Sequence, residues 1–225
     1  MNIVNLIKNH AAPELISSAP SLLGESIEST GKGLSVSISS IVAGILNKSA
    51  EPDQMTEIWD LINHPDNNSN ILSDLDDLFS GQLNFPDADS PGGKLVGALF
   101  SNNQDIFLSG IAKAAGFLNS GNAIKCLSIA APMVLSFLKK KVKTEGYGMS
   151  GLSMWLGGQK NDIMALLPAE IESTFNAGAM PIILDSTESS YSKEDIRGLS
   201  WMPWLIAIVS LLGFMGFLMK SCNMQ

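Results

Sequence analysis

The sequence predicts an all-α protein, in which a helical body of two similar halves is followed by a tether and one C-terminal transmembrane helix. Three observations lead to this prediction. Apolar residues recur at steps of three and four over most of the chain, which is typical of amphipathic helices. Clusters such as "NHPDNNSN" and "NFPDADSPGG" interrupt these stretches with turn-forming residues. A long run without charge lies near the C-terminal end, over residues 201–219.

The apolar periodicity places the helices in order along the body, which we expect to occupy residues 1–176. The predicted helices are 2–9, 13–30 with a break near Pro20, 34–48, 53–63, 70–80, 93–100, 102–117, 120–142, 150–157 and 161–176. The helix over 120–142 is apolar around most of its circumference, so it should be central and buried. Pro132 should bend it. A second membrane span is disfavoured there, because Lys125 and Lys139 leave only thirteen uncharged residues between them.

The two halves of the body resemble each other in one stretch. At an offset of 92 residues, "IVAGILNK" from Ile41 aligns with "MVLSFLKK" from Met133. This similarity predicts repeat halves near 10–90 and 91–176, each of which buries the central helix of the other. Two unrelated helices of similar composition are the alternative.

The run from Trp201 to Met219 has the properties of a membrane anchor. A helix rises about 1.5 Å per residue, so nineteen residues span about 28 Å, close to the hydrocarbon thickness of a bilayer. Aromatic residues stand at one edge and a lysine at the other, as is typical of membrane spans, and three small residues recur at every third position. The anchor residues are Trp201, Pro203, Trp204, Ser210, Gly213, Gly216 and Lys220.

The regions around this run complete the predicted organisation. The polar stretch 177–200 is predicted to be a linker, and 220–225 a short tail. The N-terminus lacks the basic and apolar regions of a secretory signal, so we expect the helical body to remain in the cytoplasm. A buried core helix of a soluble domain is the alternative for 201–219.

Several stretches resemble a known family. They are "ISSIVAGILNK" (38–48), "GGKLVGALFSNNQDIFLSGIAKAAGF" (92–117) and "LSIAAPMVLSFLKK" (127–140). The chain is similar over about 10–175 to the YidB-like bacterial proteins, domain of unknown function 937. This resemblance implies an all-helical fold, no established activity and, with the anchor, a place at the bacterial inner (cytoplasmic) membrane. Some relatives continue into an OmpA-like peptidoglycan-binding domain, whereas this chain ends at Gln225. An envelope-linking protein whose wall-binding domain is missing from this chain is therefore the alternative function.

Composition excludes several function classes. The net charge is −8 and the isoelectric point is near 4.7, so no nucleic-acid partner is expected. The only two histidines, His10 and His64, and the two cysteines stand in no catalytic or metal-binding spacing. We therefore predict a protein that is not an enzyme and has no cofactor or metal.

Charge is segregated along the chain. Residues 49–93 contain ten acids and no Lys or Arg, whereas 113–143 contain six lysines and no acid. These segments could form complementary faces, within one chain or between copies. The candidate residues are Lys139, Lys140, Lys141, Lys143, Asp74, Asp76 and Asp77. A solvated surface with lysines that complement a helix dipole is the alternative. The predicted function is a non-enzymatic, membrane-tethered interaction or assembly module, whose partners are the membrane and an unidentified protein, a second copy among the options.

Overall fold

Helices account for the regular structure of this chain wherever the structure, a computed structural model, describes it. The described residues are 3–71 and 88–176, and the side chains of 10–18 and 176 are left out. The described residues lie within the first of two units of the chain, Met1–Pro181, and the second unit, Ile182–Gln225, falls outside them. The helices are α1 (Ile3–Leu23), α2 (Ile27–Lys48), α3 (Pro52–Asn63), α4 (Pro91–Phe100), α5 (Gln104–Ala115), α6 (Asn122–Glu145), α7 (Met149–Gly157), α8 (Lys160–Met164) and α9 (Ala169–Asn176). The all-α prediction is confirmed for this part of the chain.

The first two helices differ from their predicted bounds. One helix, α1, runs through Pro20 to Leu23, where the sequence predicts separate helices over 2–9 and 13–30. The chain then turns at Gly24, whose φ of 65° is accessible to glycine without strain. The next helix starts at Ile27, seven residues before the predicted start, because the Ser26 side chain accepts a hydrogen bond from the Ser29 amide and caps it.

The remaining helices differ from their predicted bounds mainly at one proline. The predicted helix 161–176 is divided into α8 and α9 at Pro168. Proline lacks an amide hydrogen and disfavours the helical conformation in the residue before it. The predicted helix 70–80 lies almost wholly outside the described residues. The other predicted helices agree with the structure within three residues at each end.

The centre of the body is formed by α2 and α6, which pack against each other more extensively than any other pair of described helices. Val134 of α6 is fully buried, as are Ile41 and Ile45 of α2. Gly33 of α2 lies against the turn before α6, where a Cβ atom would be 2.2 Å from a ring carbon of Phe117, and against α6 itself, where it would be 3.2 Å from Cys126 Sγ. The prediction that the helix around 120–142 is central and buried is therefore confirmed.

Helix α6 also has the length and composition of a membrane span. It has 24 residues, and its mean hydropathy reaches 1.3 over the most apolar window. However, 72% of that window is buried inside the body. Among the described residues it is the single helix with these properties, and its burial is that of a core helix.

The starts of α2 and α6 lie at the same end of the body. The Asn122 side chain donates from Nδ2 to the Leu23 carbonyl at 2.9 Å and to Glu25 Oε1 at 2.8 Å. The Glu25 carboxylate also accepts from the amides of Leu118 and Asn119. We call these contacts the turn clamp, because they join the α1–α2 turn to the α5–α6 turn.

The duplication stays a prediction. In each half a long central helix, α2 or α6, is followed by a shorter one, α3 or α7. The two shorter helices touch where the Thr56 hydroxyl lies 3.8 Å from Met149 Sδ.

Candidate interaction surfaces

The lysines at the end of α6 do not form one exposed face. Lys139 is 8% exposed, and its Nζ donates to the backbone carbonyls of His64 and Asn67, each at 2.8 Å. These carbonyls belong to the end of α3 and the turn after it, where carbonyls lack helical partners, although the His64 carbonyl also accepts from the Asn67 amide at 3.1 Å. Lys139 therefore caps α3 from inside, and its assignment to an exposed basic face is corrected.

Asn67 completes this internal contact between α3 and α6. It is buried, and its Nδ2 donates to the Ile62 carbonyl at 2.7 Å and to the Leu135 carbonyl at 3.1 Å. We call Lys139 and Asn67 the α3 latch. Sequence reasoning missed Asn67 because "NHPDNNSN" has only the composition of a turn, and no spacing distinguishes one of its asparagines.

Lys141 is also engaged within the chain. Its Nζ lies 3.0 Å from Glu145 Oε1, one helical turn away, and 5.3 Å from the centre of the Trp155 ring. The Trp155 ring in turn packs near Tyr147, with centroids 6.3 Å apart. The cation–π interaction joins α7 to the end of α6, and the ion pair within α6 orients the Lys141 side chain.

Two lysines of the predicted set remain available to a partner. Lys140 and Lys143 are exposed and form no ion pair with a described residue. The outward side of α3 carries the opposite charge in Asp53, Glu57 and Asp60, which are likewise exposed and unpaired within the described chain. The predicted acidic residues Asp74, Asp76 and Asp77 lie outside the described residues, so their role stays a prediction.

Two clefts flank the C-terminal part of α2. One has a volume of about 510 Å³ and lies among α2, α4, α5 and α9, with Leu99, Ile106 and Phe107 among its lining residues. The other, of about 330 Å³, lies between the end of α2 and the α7–α8 region. Asn47 and Phe175 line both, so the last turn of α9 separates the two clefts.

Helix α9 is held by three side chains. Ile171 is fully buried next to Gly110 of α5, and Phe175 packs edge-on against Phe107 with ring centroids 5.2 Å apart. Glu170 forms an ion pair with Lys113 at the surface. That ion pair lowers the pKa of Glu170 through the hydrogen bond from Lys113.

The remaining candidate residues are those that could bind a metal ion and the Cys126 thiol. In the part of the chain that the structure describes, no three His, Cys, Asp or Glu side chains are grouped closely enough to hold a metal ion. Burial raises the pKa of the Cys126 thiol to about 12, and Glu25 acts in the same direction while Lys125 opposes it. Such a thiol is protonated at neutral pH and a poor nucleophile.

The predicted anchor lies outside the described residues. This applies to Trp201, Pro203, Trp204, Ser210, Gly213, Gly216 and Lys220, and to the linker and tail that flank them. Their assignment stays a prediction from the sequence.

Comparison with known proteins gives one match. A family model described as a bacterial protein of unknown function (DUF937) matches residues 5–141. This range covers α1 to α6 apart from the first two residues of α1 and the last four of α6, and it is more than half of the chain. Neither the curated proteins nor the solved structures contain a match.

Proposed function

Because this chain belongs to the bacterial DUF937 family, whose function is unknown, we propose that it is a non-enzymatic interaction module that a membrane span holds at the inner membrane. The interaction role rests on two exposed surfaces of opposite charge, whose side chains form no ion pairs within the described chain. Lys140 and Lys143 project from α6, and the acids of α3 project from a neighbouring helix. A surface with separated charges of opposite sign attracts a partner with the complementary pattern.

The membrane part of the proposal rests on composition. Residues 201–219 have no charge and have aromatic residues at one edge, which supports a span of about 28 Å. Helix α6 has similar composition, but its apolar surface is largely occupied by packing inside the body. We therefore assign membrane attachment to 201–219 and protein interaction to the body.

A fractionation experiment tests the membrane part. The full chain should sediment with membranes and resist extraction with alkaline carbonate, whereas a chain that ends at Ser200 should stay in the supernatant. The matched control is a full chain with two charges inside the run, Ile206→Lys and Leu211→Lys. It should no longer resist extraction, because each charge at the centre of a span makes membrane insertion less favourable by about 2.5–3.5 kcal/mol. Full chain recovered from the high-speed supernatant would contradict the proposal.

A second experiment tests the interaction part. Lys140→Glu with Lys143→Glu should abolish association of the full chain in detergent, because the substitutions reverse the charge that attracts an acidic surface. In the unsubstituted chain the association should weaken as salt is added, since screening shortens the range of charge interactions to about 8 Å at 0.15 M salt. Glu28→Lys is the control, since Glu28 is exposed and pairs locally with Lys32. If light scattering shows a monomeric mass at every salt concentration, the chain does not associate with itself, and this part of the proposal is wrong. If the coding sequence continues past Gln225 into a wall-binding domain, the envelope-linking alternative would be favoured instead.

A further inference from the structure

The groove that holds α9 recognises a short helix with a defined pattern. Ile171 enters where Gly110 has no side chain, and a Cβ atom at Gly110 would lie 2.7 Å from Ile171 Cγ1. Phe175, four residues later on the same face, is also buried. Glu170 precedes this pair and meets Lys113. The groove therefore fits an acid followed by two apolar residues at positions i and i+4.

Helix α9 has little stability of its own. It has eight residues, and isolated helices shorter than about 12–15 residues are marginal in water. The clefts of about 510 and 330 Å³ lie on either side of its last turn, so the body does not enclose its edges. Local opening of such an element requires far less free energy than unfolding of the core.

The connection between α8 and α9 is short and contains a proline. Residues 165–168 join it to α8, and Pro168 at the junction cannot continue a helix. The groove is built by α2 and α5, inside the matched segment 5–141, whereas α9 lies beyond it. A helix on a short proline-containing connection can leave its own groove and enter an identical one.

We propose that α9 exchanges between two copies of this chain, so that the α2–α5 groove of each copy binds α9 of the other. A second copy is the occupant because it presents the same Ile171 and Phe175 to the same groove and restores the Glu170–Lys113 ion pair. Exchange preserves the contacts that α9 makes with α2 and α5, and reciprocal exchange closes the assembly at two copies. Both sides of the contact lie in the described body, so the proposal does not depend on membrane attachment.

Two variants of the chain, each with one added cysteine, test the exchange. The full chain carries Cys222→Ser, and the buried Cys126 stays in place. One population has Lys113→Cys and the other Glu170→Cys, and they are mixed before mild oxidation. Exchange should give a disulfide-linked dimer of the two populations, at least ten times more abundant than with the control pair Leu118→Cys and Glu170→Cys. Leu118 is 93% exposed, so that pair measures random collision.

Two further measurements keep the proposal falsifiable. Gly110→Val fills the groove, and its addition to both populations should reduce the mixed dimer to the control level while circular dichroism still shows a helical body. Hydrogen exchange of the unsubstituted chain should be at least tenfold faster at the amides of α9 than at those of α6. Mixed dimer no more abundant than the control, or α9 amides as protected as those of α6, would overturn the exchange.

Discussion

Replacement of Lys139 by methionine should destabilise the body, although Lys139 belongs to a run of lysines that has the pattern of a solvated surface. Methionine keeps the length of the aliphatic chain and removes the ammonium group. The Asn67 carbonyl then loses its donor, whereas the His64 carbonyl keeps the hydrogen bond from the Asn67 amide. The substitution therefore isolates the α3 latch from the packing of the side chain.

The magnitude follows from these two hydrogen bonds. A buried carbonyl left without a donor costs about 1–3 kcal/mol. Removal of a mostly buried charge that has no carboxylate partner among the described residues offsets part of this loss. Since the Asn67 carbonyl alone is left without a donor, we expect a net loss of about 1–3 kcal/mol for Lys139→Met. For a domain of this size, a loss of about 2 kcal/mol corresponds to a decrease in Tm of about 4–8 °C.

The assay is thermal and denaturant unfolding of the full chain, followed by circular dichroism. Lys140→Met is the matched control, because Lys140 is the next residue on the same helix but is exposed, and surface substitutions usually change stability by less than about 0.5 kcal/mol. Equal stability of the two variants would refute the latch.

The pH dependence provides an independent check. Burial lowers the pKa of Lys139 below its usual 10.5, and the charge of Lys143 acts in the same direction. When a lysine has a lower pKa in the folded than in the unfolded chain, the unfolded chain holds more protons in the window below 10.5, so stability contributed by this group rises with pH there. The stability difference between the unsubstituted chain and Lys139→Met should therefore grow as the pH approaches 10.5, and a constant difference would contradict the assigned environment.

Four further predictions follow from single buried positions. Gly33→Ala should destabilise the body by about 1–3 kcal/mol, because its Cβ would overlap an aromatic ring, whereas Gly31→Ala, where a Cβ meets nothing within 4 Å, should stabilise α2 by up to about 1 kcal/mol in denaturant unfolding. Asn122→Ala removes the centre of the turn clamp and should cost about 2 kcal/mol by the same assay. Val134→Asp buries an unpaired carboxylate and should abolish cooperative melting. Burial raises the pKa of Cys126 from 9.0 to about 12 in the folded chain. The unfolded chain therefore loses this proton first, and the stability that the thiol contributes below pH 9 is lost as the pH rises towards 12. Between pH 8 and pH 10 the unsubstituted chain should lose about 1.4 kcal/mol more than Cys126→Ala in paired denaturant titrations.

The sequence predicts the core well because burial leaves a periodic signal. In α6 the apolar residues cover most of the circumference, and this pattern alone identifies Val134 as a core position. The start of α2 leaves no such signal, since "STGKGLSVS" has glycines and β-branched residues of low helix propensity. There the helix is fixed by the Ser26 cap, a local signal that the predicted bounds did not use, and by packing against Phe117, which is not visible in a single stretch of sequence.

The candidate surface is predicted less well, because charges adjacent in sequence have different directions on a helix. Successive residues rotate by about 100°, so residues 139, 140 and 141 face three directions. Lys139 donates to carbonyls just after the end of α3, Lys141 contacts Trp155, and Lys140 faces solvent. The run has the composition of one basic patch, but the positions of α3 and α7 decide which lysines remain available.

This division changes what a charge experiment at the end of α6 can establish. Substitution of the whole run would remove the α3 latch and the contact with Trp155 together with the exposed charges, so loss of association could result from loss of structure. Lys140 and Lys143 are the two positions at which charge can be reversed without breaking a described contact. Lys143 lies one turn after Lys139, close enough to lower the pKa of that residue, so Lys143→Glu should raise that pKa. The surface and the latch are thus electrostatically coupled, and binding of an acidic partner at Lys143 should strengthen the protonated form of the buried lysine.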